Sequence, residues 1–272
     1  MNSKLKPIVL FDMDGTLSPA RQPIIEGMLE KLIMLSAVSE IGIVTGSGIA
    51  YIKQQCESII DNISNFNSKL TLFPCNGTQV YKINSLSNIK CIFSENMREH
   101  IGSSFNEILT LVLKEQTEFM ITVDKSDLSK EINLSGTFLQ YRNSMLNWCP
   151  IGRDASDTDR EAFVIADKKY KIREKLAETL NTYRVGRGIP IQFALGGATS
   201  IDIYPEGWDK TFVLKHINAD QRDVYFIGDR CHEGGNDKTI YEKILPRGTA
   251  YETISPQHTL QLVDKIQENI LN

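Results

Sequence analysis

Two carboxylates, Asp12 and Asp14 in the run Asp12-Met13-Asp14-Gly15-Thr16, follow directly on the short apolar stretch at 7–11. Alternation along a strand end points both into one small volume, where each anion raises the pKa of the other unless a cation lies between them. Oxygen donors without a histidine cluster favour a hard ion such as magnesium, which keeps waters and takes phosphate oxygens as further ligands. Taken alone, such an Asp-Gly run is as readily a solvated turn. Three more pieces accompany it in order: Thr45-Gly46-Ser47, Asp209-Lys210, and Gly228-Asp229 with Gly234-Gly235-Asn236-Asp237. Singly, Ser47 would cap a helix and Lys210 would be a surface lysine; together they describe a site.

The elements that must position these residues read as an α/β chain. The apolar runs at 7–11, 41–44 and 70–73 are short and continuous, as suits strands buried on both faces of a parallel sheet. Helices are expected between them at 23–38, where Ile24, Met28, Leu32 and Leu35 form a stripe, and at 49–60. In an open α/β sheet the C-terminal strand ends form one crevice, so pieces distant in sequence converge there. Beyond a turn at 84–88 the rhythm changes: a helix over 95–116, two extended segments (GTFLQYRN and MLNWCP) around a reverse turn at Asn143-Ser144, and a charged helix over 157–182. Strand-like runs at 189–195 and 200–204 precede a return to α/β alternation: a helix from Asp209, the strand VYFIGD, a helix after GGND, an extended GTAYE and a last helix from Pro256. The expected fold class is α/β, a doubly wound core at 1–82 plus 208–272 interrupted by an α+β domain at 83–207 built on an antiparallel sheet.

DMDGT, Ser47, Lys210 and the GD…GGND segment resemble the four motifs of the haloacid dehalogenase (HAD) superfamily. That resemblance implies Asp12 as nucleophile and Asp14 as general acid/base. It also implies Ser47 and Lys210 as holders of the transferring phosphoryl group, and a magnesium site of Asp12, the main-chain carbonyl of Asp14 and Asp229, with Asn236 and Asp237 in support. The chemistry is coherent, because a carboxylate attacks phosphorus once metal and lysine neutralise the phosphate oxygens that would repel it.

The inserted segment carries YRNSMLNWCPIGRDASDTDR, and with FPCNGTQVYK, SIDIYPEGWDK and GDRCHEGGND it resembles the eukaryotic-type phosphomannomutases. The resemblance implies that Arg142, Arg153 and Arg160 hold the non-reacting phosphate, that Ser200 and Asp202 contact the sugar phosphate, and that Arg21 lies beside the active site. Guanidinium forks suit this because they bind phosphate bidentately and stay charged. The implied reaction converts mannose 6-phosphate to mannose 1-phosphate through phospho-Asp12 and a hexose 1,6-bisphosphate, which also serves as activator, and supplies GDP-mannose synthesis. The resemblance also implies that the inserted domain acts as a cap, whose closure would exclude water. The resemblance further implies a homodimer through the cap. Departures are EINLS before GTF, Cys75 in FPCNG, and His232 with Glu233 near the metal. Hydrolysis of sugar phosphates is the alternative activity, and a non-catalytic phosphosugar-binding protein is a third reading.

The formal net charge of −4 over 272 residues, with no strongly basic segment, speaks against a nucleic-acid or acidic-membrane partner. Five cysteines without a CxxC pair suggest neither a disulfide framework nor a thiolate zinc site. With no apolar run of bilayer length and no signal-like start, the expected setting is cytoplasmic.

Overall fold

A computed structural model describes residues 5–66, 69–85 and 88–272. Along the chain the elements are β1 (Ile8–Phe11), α1 (Met28–Ser36), β2 (Glu40–Val44), α2 (Ile49–Gln55), α3 (Glu57–Asp61), β3 (Leu70–Phe73), β4 (Gln79–Ser85) and β5 (Asn88–Ser94). There follow α4 (Met97–Ile101), α5 (Ser104–Asp124), β6 (Leu139–Tyr141), β7 (Leu146–Trp148), α6 (Asp157–Tyr170), α7 (Ile172–Arg187), β8 (Ile191–Leu195) and β9 (Ile201–Pro205). The chain ends with β10 (Val224–Gly228), α8 (Lys238–Ile244), β11 (Ala250–Glu252) and α9 (Pro256–Leu271). No described helix is long and apolar enough to cross a membrane.

Two compact units emerge. The first comprises 1–94 and 207–272, the second 95–206. The first holds a seven-stranded sheet in the order β11-β10-β1-β2-β3-β4-β5. Its strands run parallel from β11 to β3, and β4 and β5 close the edge antiparallel. Alternation sorts β1 between two cores: Val9 and Phe11 join Ile41, Ile43, Leu70 and Ile227 on one face, while Ile8 and Leu10 join Val44, Phe73, Val213 and Phe226 on the other. This two-sided burial is why the strands read as unbroken apolar runs. The expectation put the boundary after residue 82; in the structure β4 and β5 pair from Gln79↔Ser94 to Ser85↔Asn88, so the first unit continues to Ser94. The turn expected at 84–88 centres on residues 86 and 87, outside those described.

The second unit holds an antiparallel sheet of order β6-β7-β9-β8 with α5, α6 and α7. Two expected long helices divide here. The one at 95–116 becomes α4 and α5, separated at Gly102, whose φ of 56° ends α4. The one at 157–182 becomes α6 and α7, separated by Lys171 in the left-handed region, φ 54°. In the first unit, the helix expected at 23–38 starts only at Met28, that at 49–60 breaks at Cys56, and the one after Asp209 is a run of 3-10 turns over Lys210–His216.

Candidate active site

Within the first unit, the loops after β1 and β10 and the start of the Lys210–His216 turns build an acidic centre. Asp12 follows β1 and its N–H donates to Ile227 O at 2.9 Å, fixing it to the neighbouring strand. Lys210 Nζ donates to both Asp12 Oδ1 and Asp237 Oδ1, and all three side chains are buried. Asp237 Oδ2 accepts from Arg230 N at 3.1 Å. Asp12, Asp229 and Asp237 each bring one carboxylate oxygen within 4.8 Å of the others.

Two buried carboxylates, Asp12 and Asp237, and the half-buried Asp229 therefore face one buried ammonium, with Arg230 Nε 3.7 Å from Asp229 Oδ2. Burial first, then the Asp237 charge, push the Asp12 carboxyl well above the usual carboxylate range against the opposing pull of Lys210. Burial and Asp237 raise Asp229 to about 6. Burial alone would lower Lys210, but Asp12 and Asp237 outweigh it and hold the ammonium above its ordinary value. Among the described residues, Thr16 Oγ1, Asp229 Oδ1 and Asn236 Oδ1 are buried oxygens with no hydrogen-bond partner. Orphaned oxygens beside an uncompensated negative cluster suit a divalent cation.

The remaining motif residues are placed by backbone devices. Gly15, φ +86°, lies so close to Asp229 that a Cβ would stand 2.3 Å from Oδ2, so only glycine allows the two loops to meet. Asp14 is half-buried and its Oδ1 accepts from Arg21 N at 3.0 Å, with Arg21 itself at φ 62°. Ser47 is held by its own N–H on Thr45 Oγ1 (3.1 Å) and by Cys75 N–H on its carbonyl (3.0 Å). The latter comes from a turn in which Cys75 and Asn76 are both left-handed. His232 is exposed, its Nδ1 2.9 Å from Glu233 O. Asp237, expected only in support, stands in the acidic cluster; the Asp14 side chain is not a member of it.

The second unit carries its own polar constellation. The sheet register sets Gln140 opposite Asn147, and Asn147 opposite Asp202, so the three form one row across β6, β7 and β9. Asn147 Nδ2 donates to Asp202 Oδ1 at 2.6 Å, and Arg153 Nη1 donates to Asn147 Oδ1. Arg142 Nε donates to Gln140 Oε1 at 3.0 Å. The row thus draws Arg142, Arg153 and Asp202 together through two amides that sequence reasoning missed. The signal was present: Asn147 and Asp202 each interrupt an apolar triplet with a polar residue at strand period. Asp202 is 6% and Ser200 8% exposed, so neither is a solvated strand residue. Arg160 is half-buried on the first turns of α6, its N–H on Ser156 O at 3.0 Å.

The family model described as eukaryotic phosphomannomutase matches residues 28–269. The matched stretch begins after Asp12–Thr16, whose place in the site rests on the contacts above. Phosphomannomutase 1 of Mus musculus is 36% identical over 259 residues, covering 95% of this chain and 91% of its own. The phosphomannomutase of Saccharomyces cerevisiae is 33% identical over 266 residues, covering 97% and 95%. Among solved structures, IMP-bound Plasmodium falciparum IMP-nucleotidase superposes with a TM-score of 0.64 at 14% identity, covering 97% of this chain and 68% of that one. At that identity the likeness concerns the fold alone.

Proposed function

The chain belongs to the eukaryotic phosphomannomutase family and is a phosphomannomutase, and on that premise we propose how its residues divide the reaction between two phosphate sites. In the first unit Asp12 attacks the phosphorus of a hexose bisphosphate or of the activating donor. The new bond joins Asp12 Oδ to phosphorus, the bond from phosphorus to the sugar oxygen breaks, and Asp14 gives that oxygen a proton. Phospho-Asp12 then passes the group to a hydroxyl of the hexose monophosphate, with Asp14 taking the proton back. Lys210 and Ser47 hold the phosphoryl oxygens, Lys210 by moving one donor from the Asp12 carboxylate to the phosphate. Asp12, the Asp14 carbonyl and Asp229, with Asn236 and Asp237 around them, would hold a magnesium ion, which when bound would supply charge neutralisation of the phosphate.

In the second unit Arg142, Arg153 and Arg160 take the phosphate that is not reacting, and Ser200 and Asp202 contact the sugar phosphate. Arg21, through its backbone bond to Asp14, fixes the acid/base group. Turning the hexose 1,6-bisphosphate end for end between transfers interconverts mannose 6-phosphate and mannose 1-phosphate. The observation that carries this assignment is a buried Asp12 bound to Lys210 with Asp229 beside it, a nucleophile already surrounded by the charges a phosphoryl group needs. We further assign a cytoplasmic setting and a homodimer through the second unit, where α5 exposes Leu113, Met120 and Ile121.

Phosphorus NMR tests the reading: with magnesium, mannose 6-phosphate and a trace of glucose 1,6-bisphosphate, the expected course is approach to equilibrium with mannose 1-phosphate and little free phosphate. Steady phosphate release without mannose 1-phosphate would make the chain a sugar phosphatase.

A further inference from the structure

Resting on the assignment of Ser200 and Asp202 to the sugar phosphate, we propose that Arg173 is a positioning residue for that subsite. It acts through the main chain of the loop between β8 and β9.

Arg173 stands in the first turn of α7 and is 8% exposed. The Asp167 carboxylate receives its main-chain N–H on Oδ1 at 2.7 Å and its Nε on Oδ2 at 2.7 Å, so both the helix start and the guanidinium plane are fixed by one acid. The outer arm of the fork is then aimed away from α7. Its Nη1 donates to Gly197 O at 2.7 Å and to Ser200 O at 3.1 Å.

Those two carbonyls lie on either side of the tip of the β8–β9 hairpin. Ser200 O also accepts from Gly196 N at 2.9 Å, and a Cβ on Gly196 would meet Ser200 Oγ at 2.7 Å and Asp202 Oδ1 at 3.1 Å. The loop is thus folded so tightly that Ser200 and Asp202 share the space over Gly196, with Arg173 tying both sides of the tip to α7. Residues 196–200 carry no strand pairing of their own, and without the guanidinium two carbonyls would lose a charged donor. A lysine cannot replace this arrangement: its single ammonium has no planar fork to span Asp167 and two carbonyls together.

The break between α6 and α7 is part of the same device. Lys171 turns left-handed, and this reversal lets Asp167 on the last turn of α6 meet the N–H of Arg173. A continuous helix would keep that N–H in the helical ladder and direct the guanidinium elsewhere.

The test uses the full chain and a double-mutant cycle read in steady-state kinetics with mannose 6-phosphate. Arg173→Lys is expected to raise KM about tenfold while kcat stays within about twofold, the signature of lost ground-state binding. Ser200→Ala is expected to raise KM as well. The double variant is expected to exceed Ser200→Ala alone by no more than about twofold, because Arg173 acts through the loop that carries Ser200. Additive effects, or an unchanged KM in Arg173→Lys beside a raised KM in Ser200→Ala, would overturn the role of Arg173 and leave the subsite standing. Unchanged KM in both Ser200→Ala and Asp202→Ala would overturn the subsite and this inference with it. Should Arg173→Lys fail to fold, the neutral pair Asp167→Asn with Arg173→Gln removes both buried charges and carries the same cycle.

Discussion

Replacing Lys210 by methionine preserves side-chain length and removes the one ammonium that faces Asp12 and Asp237, both buried. Breaking a buried ion pair from one side costs about 3–5 kcal/mol. The chain has one way to limit that cost, which is to take up a proton on one carboxylate. From an unfolded carboxyl pKa of about 3.9, holding that proton at pH 7 costs about 4 kcal/mol, at about 1.4 kcal/mol per unit. At pH 5 the same step costs only about 1.5 kcal/mol. The sign follows from linkage. A carboxyl whose folded pKa lies above its unfolded value leaves the folded state holding more protons, so stability falls as pH rises through that window.

Lys210→Met, melted in chelator to keep bound cations out of the comparison, is therefore expected to lie about 8–16 °C below the parent at pH 7, at about 2–4 °C per kcal/mol. The deficit should shrink to about a third at pH 5. Turnover should fall at least about a thousandfold, the scale of losing a charged group from a phosphoryl site. Adding Asp237→Asn removes a charge in place of the missing proton. It should recover about half of the pH 7 deficit and flatten its pH dependence without restoring turnover. A Lys210→Met protein that melts with the parent at pH 7, or whose deficit is the same at pH 5, would show that the ammonium does not neutralise these carboxylates.

Magnesium added to chelator-treated protein should raise the melting temperature, since at a hundred times its dissociation constant a ligand adds about 2.7 kcal/mol. Asp229→Asn should weaken that shift, and equal shifts in the two proteins would remove Asp229 from the metal site. Gly15→Ala combines a left-handed φ of +86° with a Cβ 2.3 Å from Asp229 Oδ2. It should cost about 1–3 kcal/mol of stability and most of the turnover, and an alanine variant with parental kcat would refute the close approach of the two loops.

What the sequence disclosed, and what it hid, follows from where each interaction is encoded. Asp12 and Asp229 follow the C-terminal ends of β1 and β10, neighbours in the parallel sheet, and such a sheet gathers those ends whatever the lengths between them, so their convergence could be read in advance. Lys210, which opens a run of 3-10 turns, could be read only from the order of the motifs. The rank of Asp237 could not, because its choice of Lys210 as partner depends on how the loop at 229–237 folds back through Asp237 N on Arg230 O. Nor could the extent of the first unit: β5 carries exposed Ile92 and Phe93, and a strand at a sheet edge has too little one-sided burial to show alternation. The division of the 157–182 helix was hidden as well. Lys171 has no propensity for the left-handed region, and its reversal goes with a contact distant from it in the pattern, Asp167 accepting from Arg173 two residues beyond the reversal.

The two polar centres are left in opposite electrostatic conditions. In the first unit, three carboxylates against the Lys210 ammonium and the Arg230 guanidinium, with buried oxygens without partners among the described residues, make a centre whose own residues do not neutralise it. In the second unit the same density of polar groups is closed internally. Asn147 donates to Asp202 and accepts from Arg153, Gln140 accepts from Arg142, and Arg173 is divided between Asp167 and two carbonyls. A closed network holds its geometry before a ligand arrives, which lowers the ordering cost of binding. The contrast matches the work assigned to each centre. A centre proposed to accept and release a phosphoryl group gains from unspent charge, whereas one proposed to hold whichever phosphate of a turning sugar is not reacting gains from a rigid, already satisfied frame.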